Sequence, residues 1–183
     1  MSSTTPIIYY ASAKTDIATV LVATLNEEIY SISLGDSEKE PLQNLRDYVA
    51  EHLSDADIHK ADKNNQLLNQ SLKLLTDYLS SPSVATYKKM QKLPLYIEST
   101  EFQKKVWYVL KDIPVGKTAS YSEIARHIGS PKAVRAVANA CAHNRQGIVV
   151  PCHRVLRSDG GISGYRWGVE RKKQIIALEA KAV

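Results

Sequence analysis

The first third of the chain combines short runs of β-branched and aliphatic residues with apolar stripes at helical spacing. The β-rich runs predict three strands, at residues 7–10, 17–25 and 29–34. The polar residues Asn26–Glu28 separate the last two runs and predict a short hairpin connection. Apolar residues recur every three or four positions from about Pro41 to Leu53 and from about Asn65 to Leu79, which predicts two amphipathic helices. We expect both helices to cover one face of a small sheet.

A helical pattern dominates the second half of the chain. Ser80–Ser83 predicts a loop, and Leu93–Ile97 predicts an edge strand or an extended connector. A helix is predicted from Thr100 to about Ile113, and Pro114–Gly116 ends it.

Two helix-start signals follow at short range. Ser120 and Glu123 have the spacing of a capping box, and Gly129 provides a turn after the helix that they begin. Ser130-Pro131 then predicts a second helix, with serine as its N-cap and proline in its first turn. This pattern predicts a helix-turn-helix at about 121–142. The expected fold class is α/β (α+β): an N-terminal β-sheet with flanking helices, followed by a mostly helical C-terminal domain.

Charge divides the chain into two unlike parts. Residues 1–100 carry 9 Lys and Arg against 13 Asp and Glu, a net charge of −4, whereas residues 101–183 carry 15 against 6, a net charge of +9. We expect a boundary where the sign changes, between an N-terminal scaffold domain, 1–98, and a C-terminal domain, 99–183. A basic half joined to an acidic one indicates a polyanionic partner for the basic half.

The number of cysteines and the hydropathy of the chain indicate the cellular compartment in which the protein is expected. Cys141 and Cys152 are too few for a disulfide framework, so a reducing compartment, the cytoplasm, is expected. No stretch of 18 apolar residues predicts a membrane span, and the first residues lack the pattern of a secretory signal. We therefore expect no membrane partner.

The second helix of the helix-turn-helix has one unusually smooth face. Projection at about 100° per residue separates a core side from an outer side. The core side holds Val134, Val137, Ala138 and Cys141, and the outer side holds Ala133, Arg135, Ala136, Asn139 and Ala140. Three alanines and one long cation allow close approach to a ligand, and such a face suits the minor groove of DNA, where little sequence can be read. The alternative is an ordinary surface arginine or half of an ion pair.

A cysteine beside a histidine follows a short β-branched run. Ile148–Val150 predicts a buried strand that Pro151 ends, and Cys152 and His153 come next. The pair could simply pack, or Cys152 could act as a nucleophile if a base and a positive field favour its thiolate. On an extended chain the two side chains point to opposite faces, so a water would have to relay the proton.

Further residues bear on the chemistry of this pair. The positive field could come from Arg135, Arg154 and Arg157. A carboxylate usually orients a catalytic histidine, and Glu179, which lies among apolar residues of a predicted C-terminal helix, is the better of two candidates. A metal site built on Cys152, His153 and His143 lacks a fourth ligand, so no metal is predicted.

Several segments together resemble one known family. The residues Val150–Val155 match the active-site signature of the O6-alkylguanine-DNA alkyltransferases, which are direct-reversal DNA repair proteins. Further segments look like that family in order and at its spacing: Phe102-Gln103 with Val106-Trp107, Ile113-Pro114, Gly116, Ser120-Tyr121, Pro131–Val137 and Ser163–Gly168. The resemblance is closest to the bacterial branch. It covers residues 99–183 closely and residues 1–98 loosely.

The resemblance implies a single-turnover transfer without a cofactor. Cys152 would accept the alkyl group, mainly methyl, from O6-alkylguanine. His153 would take the thiol proton through a water, Glu179 would orient His153, and Asn144 would tie the recognition helix to the active-site turn. The implied partner is double-stranded DNA, bound by a monomer that flips the damaged nucleotide out of the stack.

The resemblance also implies roles around the flipped base. Arg135 would fill the gap left in the duplex, and Tyr121 would crowd the 3′ phosphate and contact the base. The pocket would be lined by Val155, Tyr165 and Arg166, the first and last partly through backbone groups. Trp167 stands where several relatives have glycine, which predicts a narrowed pocket rim and a preference for methyl over benzyl groups.

Two other functions stay open on the sequence. One is a damage-binding module without transfer activity, although relatives of that kind lack the cysteine. The other is a Cys-His-Glu hydrolase, which would leave the smooth helix and Arg135 unexplained. The N-terminal zinc ligands of some relatives are missing from this sequence.

Overall fold

The computed structural model describes residues 5–183, and it has the predicted mixed α/β fold. Its strands are β1 (Ile7–Lys14), β2 (Thr19–Leu25), β3 (Glu28–Gly35), β4 (Asp57–Lys60), β5 (Ala119–Ser120) and β6 (Val155–Leu156). Its helices are α1 (Lys39–His52), α2 (Gln66–Ser80), α3 (Val84–Met90), α4 (Glu101–Lys111), α5 (Tyr121–His127), α6 (Val134–Ala142) and α7 (Val169–Ala180). No helix within this range is long and apolar enough to cross a membrane.

The N-terminal sheet has the order β3-β2-β1-β4. Strands β1, β2 and β3 form an antiparallel meander, and β4, which the sequence pattern did not reveal, joins β1 in parallel. A two-residue turn connects β2 to β3, because Asn26 and Glu27 have φ angles of 49° and 63° and Glu28 already pairs with Leu25. Positive φ at both central residues is the requirement of a type I′ hairpin turn, whose twist matches that of the strands.

The expectation that α1 and α2 cover the same face of the sheet is wrong. Leu45 and Val49 of α1 pack with Leu21 and Ala23 of β2. The apolar side of α2 packs instead with the residues that alternate with these on β2, Val20 and Val22. Neighbouring strand residues point to opposite faces, so the two helices cover opposite faces. All seven residues of β2 are buried, and a strand that is apolar on both faces cannot show which face receives which helix.

The C-terminal half packs on the same core as α2. One cluster of buried residues joins the leucines of α2 to Val106, Trp107 and Leu110 of α4 and continues into α5, α6 and α7. The predicted capping box of Ser120 and Glu123 is present at the start of α5. Helix α4 has a second capping box, of Thr100 and Gln103, that was not predicted. The short helix α3, whose N-cap is Ser83, was missed.

Helix α6 begins later than predicted. Its N-cap is Ala133, and Ser130 instead accepts a backbone hydrogen bond from Ala133 in a turn that contains Pro131. Gly129, with a φ of 74°, provides the predicted bend between α5 and this turn. The helix-turn-helix is therefore present, with a shorter second helix.

The predicted strand at Ile148–Val150 is a turn. Ile148 has a φ of 69°, which strand residues do not adopt, and Val149 and Val150 donate to the carbonyls of Gly147 and Gln146. The β-branched run reflects full burial of these side chains rather than pairing in a sheet.

The edge of the N-terminal sheet anchors this turn. Ile32 of β3 donates to the carbonyl of Arg145 and accepts from Gly147, at 2.8 Å and 3.1 Å. Ile29 makes similar bonds to Pro94 and Tyr96, so Leu93–Ile97 is an extended connector rather than a strand. These segments cover an edge that would otherwise expose unpaired backbone groups. The sheet thereby holds the segment that leads into Cys152.

Candidate active site

Cys152 lies at the start of a 3₁₀ turn, Cys152–Arg154, that follows Pro151 and leads into β6. The expectation of an extended chain at this point is wrong. Cys152 is 4% exposed and belongs to the wall of a cavity of about 380 Å³. The cavity is lined by Tyr121, Ala138, Cys141, Ala142, Cys152, Ser163, Gly164, Tyr165 and Arg166. A buried thiol that still faces a cavity can meet a ligand without bulk water.

Asn144 connects helix α6 to the cysteine. It follows α6 by two residues and is fully buried. Its amide nitrogen donates to the Val150 carbonyl at 2.8 Å and to Cys152 Sγ at 3.1 Å, and its Oδ1 accepts from the backbone of Gln146. The side chain thus links the end of α6, the turn and the thiol through three hydrogen bonds.

The structure brings His153 and Glu179 together inside the core. His153 Nε2 lies 2.9 Å from Glu179 Oε1, and both side chains are buried. His153 Nδ1 is buried without a hydrogen-bond partner among residues 5–183. Because the carboxylate binds Nε2, the histidine has its second ring nitrogen free for another proton acceptor or donor.

The expectation that Arg154 supplies positive charge to the thiol is wrong. Arg154 pairs with Glu179 instead. Arg154 Nε lies 2.9 Å from Glu179 Oε2, and Nη2 lies 2.9 Å from Oε1. A third guanidinium nitrogen donates to the Ile113 carbonyl at 2.6 Å. Such bidentate geometry is the one in which a buried arginine is best satisfied by a carboxylate.

Two basic groups outside the expected set act on the Cys152 thiol. Burial raises the pKa of this thiol, whereas the Asn144 hydrogen bond and the positive charges of Lys172 and Arg166 lower it. Lys172 is itself fully buried and donates to the Val155 carbonyl at 2.6 Å. Arg157 is exposed and pairs with Asp159.

Burial also affects the protonation states of His153 and Glu179. It lowers the pKa of the His153 imidazole, and Glu179 only partly offsets this effect. Burial alone would raise the pKa of the Glu179 carboxyl, but His153 and Arg154 outweigh it and hold that pKa well below its usual range. The site therefore presents a neutral imidazole beside a charged carboxylate, a state in which the imidazole can accept a proton.

The cavity wall joins α5 to the loop before α7. The Tyr121 hydroxyl lies 2.6 Å from Ser163 Oγ, and Tyr165 packs edge-on against His153 with ring centroids 6.5 Å apart. Arg166 donates to the Ala142 carbonyl at the end of α6. Polar groups from separate elements thus converge on one small space, as in many ligand pockets.

Two residues expected in the pocket lie behind it. Val155 is fully buried and contributes its carbonyl to Lys172 rather than a surface to the cavity. The expectation that Trp167 narrows the rim is wrong, because its indole packs against Gly147 and lies 5.2 Å from the Tyr165 ring. Trp167 supports Tyr165 from the core side, so it gives no direct reason for a preference between methyl and benzyl groups.

The outer face of α6 is largely as projected. Arg135, Ala136 and Asn139 are exposed, and Ala133 is half-buried at the N-cap. Ala140 was expected on this face but is buried, and it accepts a hydrogen bond from the Trp107 indole at 2.8 Å. Helix α4 therefore covers one edge of the projected face. Ala138, which the projection placed on the core side, lines the cavity.

The structure adds functional candidates that sequence reasoning missed. Lys172 shares a helical stripe with Ile175 and Glu179, at spacings of three and seven residues, which could have indicated its burial. Ser163 lies within a segment already singled out by resemblance. Tyr78 donates to Glu179 from 101 residues away along the chain, and no local pattern could have indicated that contact. Within residues 5–183, no three His, Cys, Asp or Glu side chains are arranged to hold a metal ion.

Comparison with protein families finds one match in the C-terminal half. Residues 101–181 match the model of the 6-O-methylguanine DNA methyltransferase, DNA binding domain. The chain is 40% identical over 175 residues to the bifunctional transcriptional activator/DNA repair enzyme Ada of Escherichia coli (strain K12), covering 95% of this chain and 46% of that protein. The chain spans about half the length of most of the curated relatives that it matches.

Other comparisons extend over almost the whole chain. The structure superposes on a variant of the Mycobacterium tuberculosis O6-methylguanine methyltransferase with a TM-score of 0.74 and 28% identity, covering 96% of this chain and 94% of that one. The Mycobacterium tuberculosis protein OGT in complex with DNA gives a TM-score of 0.71 at 26% identity and the same coverage. The methylated-DNA–protein-cysteine methyltransferase of Debaryomyces hansenii is 31% identical over 169 residues, which are 88% of this chain and 85% of that protein. The chain therefore belongs to the methylated-DNA–protein-cysteine methyltransferase family.

Proposed function

We propose that the protein repairs DNA by direct reversal, moving the alkyl group of O6-alkylguanine, mainly methyl, onto Cys152. The observation that carries this proposal is the buried Cys152 thiol, which faces a cavity of about 380 Å³ beside a neutral imidazole and a charged carboxylate. Membership of the methyltransferase family and the names of the relatives support it.

The proposed chemistry is one displacement at carbon. Cys152 loses its proton to His153 Nδ1 through a bridging water, and Glu179 stabilises the imidazolium that forms. The sulfur attacks the O6-alkyl carbon, a C–S bond forms as the C–O bond breaks, and the guanine oxygen leaves with the electron pair. Asn144 and Lys172 favour the thiolate that reacts. A thioether is a poor leaving group, so each chain would act once and need no cofactor.

The proposed partner is double-stranded DNA that contains the lesion. A duplex hides the O6-alkyl carbon from a thiol, so the nucleotide has to rotate out of the stack and enter the cavity. The exposed face of α6, with Ala133, Ala136 and Asn139, permits close approach of the minor groove, and Arg135 would fill the gap that the base leaves. Tyr121, at the start of α5, would crowd the adjacent phosphate.

Transfer of label to the protein tests the function. Purified protein is incubated with duplex DNA that carries an isotope on the O6-methyl group, and the intact mass and the modified peptide are measured. We expect one methyl group per chain, on the peptide that contains Cys152 and not on the one that contains Cys141. Cys152→Ala should stop transfer and retain binding to the same duplex.

The same incubation separates the other candidate functions. Binding of the lesion without transfer by the wild-type chain would indicate a damage-binding module. Release of label into solution with repeated turnover would indicate a hydrolase. We also propose that the protein acts as a monomer, which sedimentation in the presence of DNA would test. Its proposed location is the cytoplasm, and its two proposed domains are residues 1–98 and 99–183.

A further inference from the structure

A tyrosine from the N-terminal half reaches the buried pair of the active site. The Tyr78 hydroxyl, on α2, donates to Glu179 Oε1 at 2.6 Å, and the side chain is fully buried. The same carboxylate oxygen lies 2.9 Å from His153 Nε2 and 2.9 Å from Arg154 Nη2. Three donors, one from α2 and two from the 3₁₀ turn, therefore share one oxygen atom.

Arg154 holds the phenol in the orientation that donates to the carboxylate. Arg154 Nη2 lies 3.0 Å from the Tyr78 oxygen, so this oxygen accepts from the guanidinium while its proton points to Glu179. The guanidinium also stacks 4.2 Å from the centroid of the Tyr87 ring on α3. Burial and the neighbouring carboxylate raise the pKa of Tyr78, which keeps the phenol protonated.

We propose that Tyr78 is a positioning residue for the proposed alkyl transfer, and that its hydroxyl sets the basicity of His153 by sharing Glu179 Oε1. A carboxylate oxygen that accepts three charge-assisted or polar hydrogen bonds attracts a proton on His153 less than one that accepts two. The imidazole therefore stays neutral in the resting site and can take the thiol proton. The N-terminal half thus supplies part of the proton relay. This inference rests on the proposed function.

Other titratable groups face the same pair and have to be kept unchanged in a test. Those that act on His153 or Glu179, or that pack against them, are Arg154, Lys172, Cys152, Tyr165 and Tyr87. Of these only Arg154 touches the Tyr78 hydroxyl. A change confined to that hydroxyl therefore alters the hydrogen bonding of Glu179 and Arg154 and leaves the other four groups in place.

Tyr78→Phe in the full chain removes the hydroxyl and keeps the ring. A matched control is Tyr30→Phe, because Tyr30 is also buried but its hydroxyl has no hydrogen-bond partner among residues 5–183. The titration of His153 is followed by NMR of the imidazole, and the rate of methyl transfer is measured from pH 5 to pH 9. A hydrogen bond to a charged group is worth enough to move a pKa by roughly one unit.

We expect Tyr78→Phe to raise the pKa of His153 by about one unit and to move the acidic limb of the transfer rate upward by the same amount. On that limb, transfer should be about ten-fold slower than in the wild type, and Tyr30→Phe should change neither quantity. A lower melting temperature with an unmoved His153 titration would show that Tyr78 is only structural, and would overturn the proposal. Because the NMR titration needs no transfer, it tests the role of Tyr78 on His153 even if the wild type moves no methyl group, a result that would overturn the proposed function instead.

Discussion

At the scale of single residues, two buried cations lie beside two different acidic groups, the Glu179 carboxyl and the Cys152 thiol. Arg154 neutralises Glu179 through two hydrogen bonds, whereas Lys172 lies near Cys152 and bonds a backbone carbonyl. Arg154 is only two residues from Cys152 in sequence, yet its guanidinium points to the carboxylate, because the 3₁₀ turn places successive side chains in different directions. Proximity along the chain was therefore a poor guide to which cation favours the thiolate.

Lys172→Met tests the electrostatic role of the buried amine. We expect methyl transfer to slow by about ten-fold, because removal of the nearby positive charge raises the pKa of the Cys152 thiol further. The matched control is Lys173→Met, which removes an exposed lysine paired with Glu170 on the same helix. Single-turnover rates and the pH dependence of thiol alkylation provide the measurement, and equal rates in the two variants would contradict the role.

At the scale of elements, the β2–β3 hairpin contains a local conflict between residue and conformation. Glu27 has a φ of 63°, in the left-handed region that favours glycine. Glu27→Gly should stabilise the protein by about 0.5–1 kcal/mol, and Glu28→Gly, one residue later in β3, should destabilise it. Urea unfolding measures both changes. The prediction fails if the two substitutions shift stability in the same direction.

Helix α6 presents its one long cation near its N-terminus. Arg135→Ala should slow transfer from duplex DNA by about ten-fold or more, because the gap in the base stack would no longer be filled and unstacking costs a few kcal/mol. Reaction with the free nucleobase O6-methylguanine should be unchanged, since no duplex is opened. Arg46→Ala, an exposed arginine of α1, is the control. A parallel loss on both substrates would indicate a folding defect rather than a role in flipping.

At the scale of the whole molecule, the buried relay makes stability depend on pH. The pKa of His153 in the folded protein is below its ordinary value. Below about pH 6.5 this imidazole therefore binds a proton in the unfolded chain more readily than in the folded protein. The pKa of Glu179 is also depressed, so its contribution is present above about pH 4.3 and is lost as the pH falls further. We expect the free energy of unfolding in urea to decrease from pH 7 to pH 5 and again below pH 4.

Glu179→Gln separates the two acid stages. At pH 7 it should cost about 3 kcal/mol or more, because the buried Arg154 loses its counter-charge. Below pH 4 the variant should lose less stability than the wild type, since the titrating carboxyl is gone. A wild-type stability that does not change between pH 7 and pH 5 would contradict the assignment of His153, and one that does not change below pH 4 would contradict that of Glu179.

Much of the fold and part of the site follow from local pattern. The three strands of the meander, the leucine-rich helices and the Ser120–Glu123 capping box depend on neighbours within a few residues, so periodicity and spacing determined them. Residue types and spacing also made Cys152, His153 and Glu179 candidates, and the resemblance to the family added Asn144. It missed β4 and α3, which are short and carry weak periodicity.

Tertiary structure decided the features that depend on contacts far apart in the chain. It put α1 and α2 on opposite faces of a sheet whose central strand is apolar on both sides, turned Ile148–Val150 away from strand geometry and placed Trp167 behind the cavity. It also paired Arg154 with Glu179 and placed the Tyr78 hydroxyl within hydrogen-bond distance of the same carboxylate. Burial and polar partners come from the packed molecule as a whole, because a charged group inside a core takes whichever partner the surrounding elements place within reach.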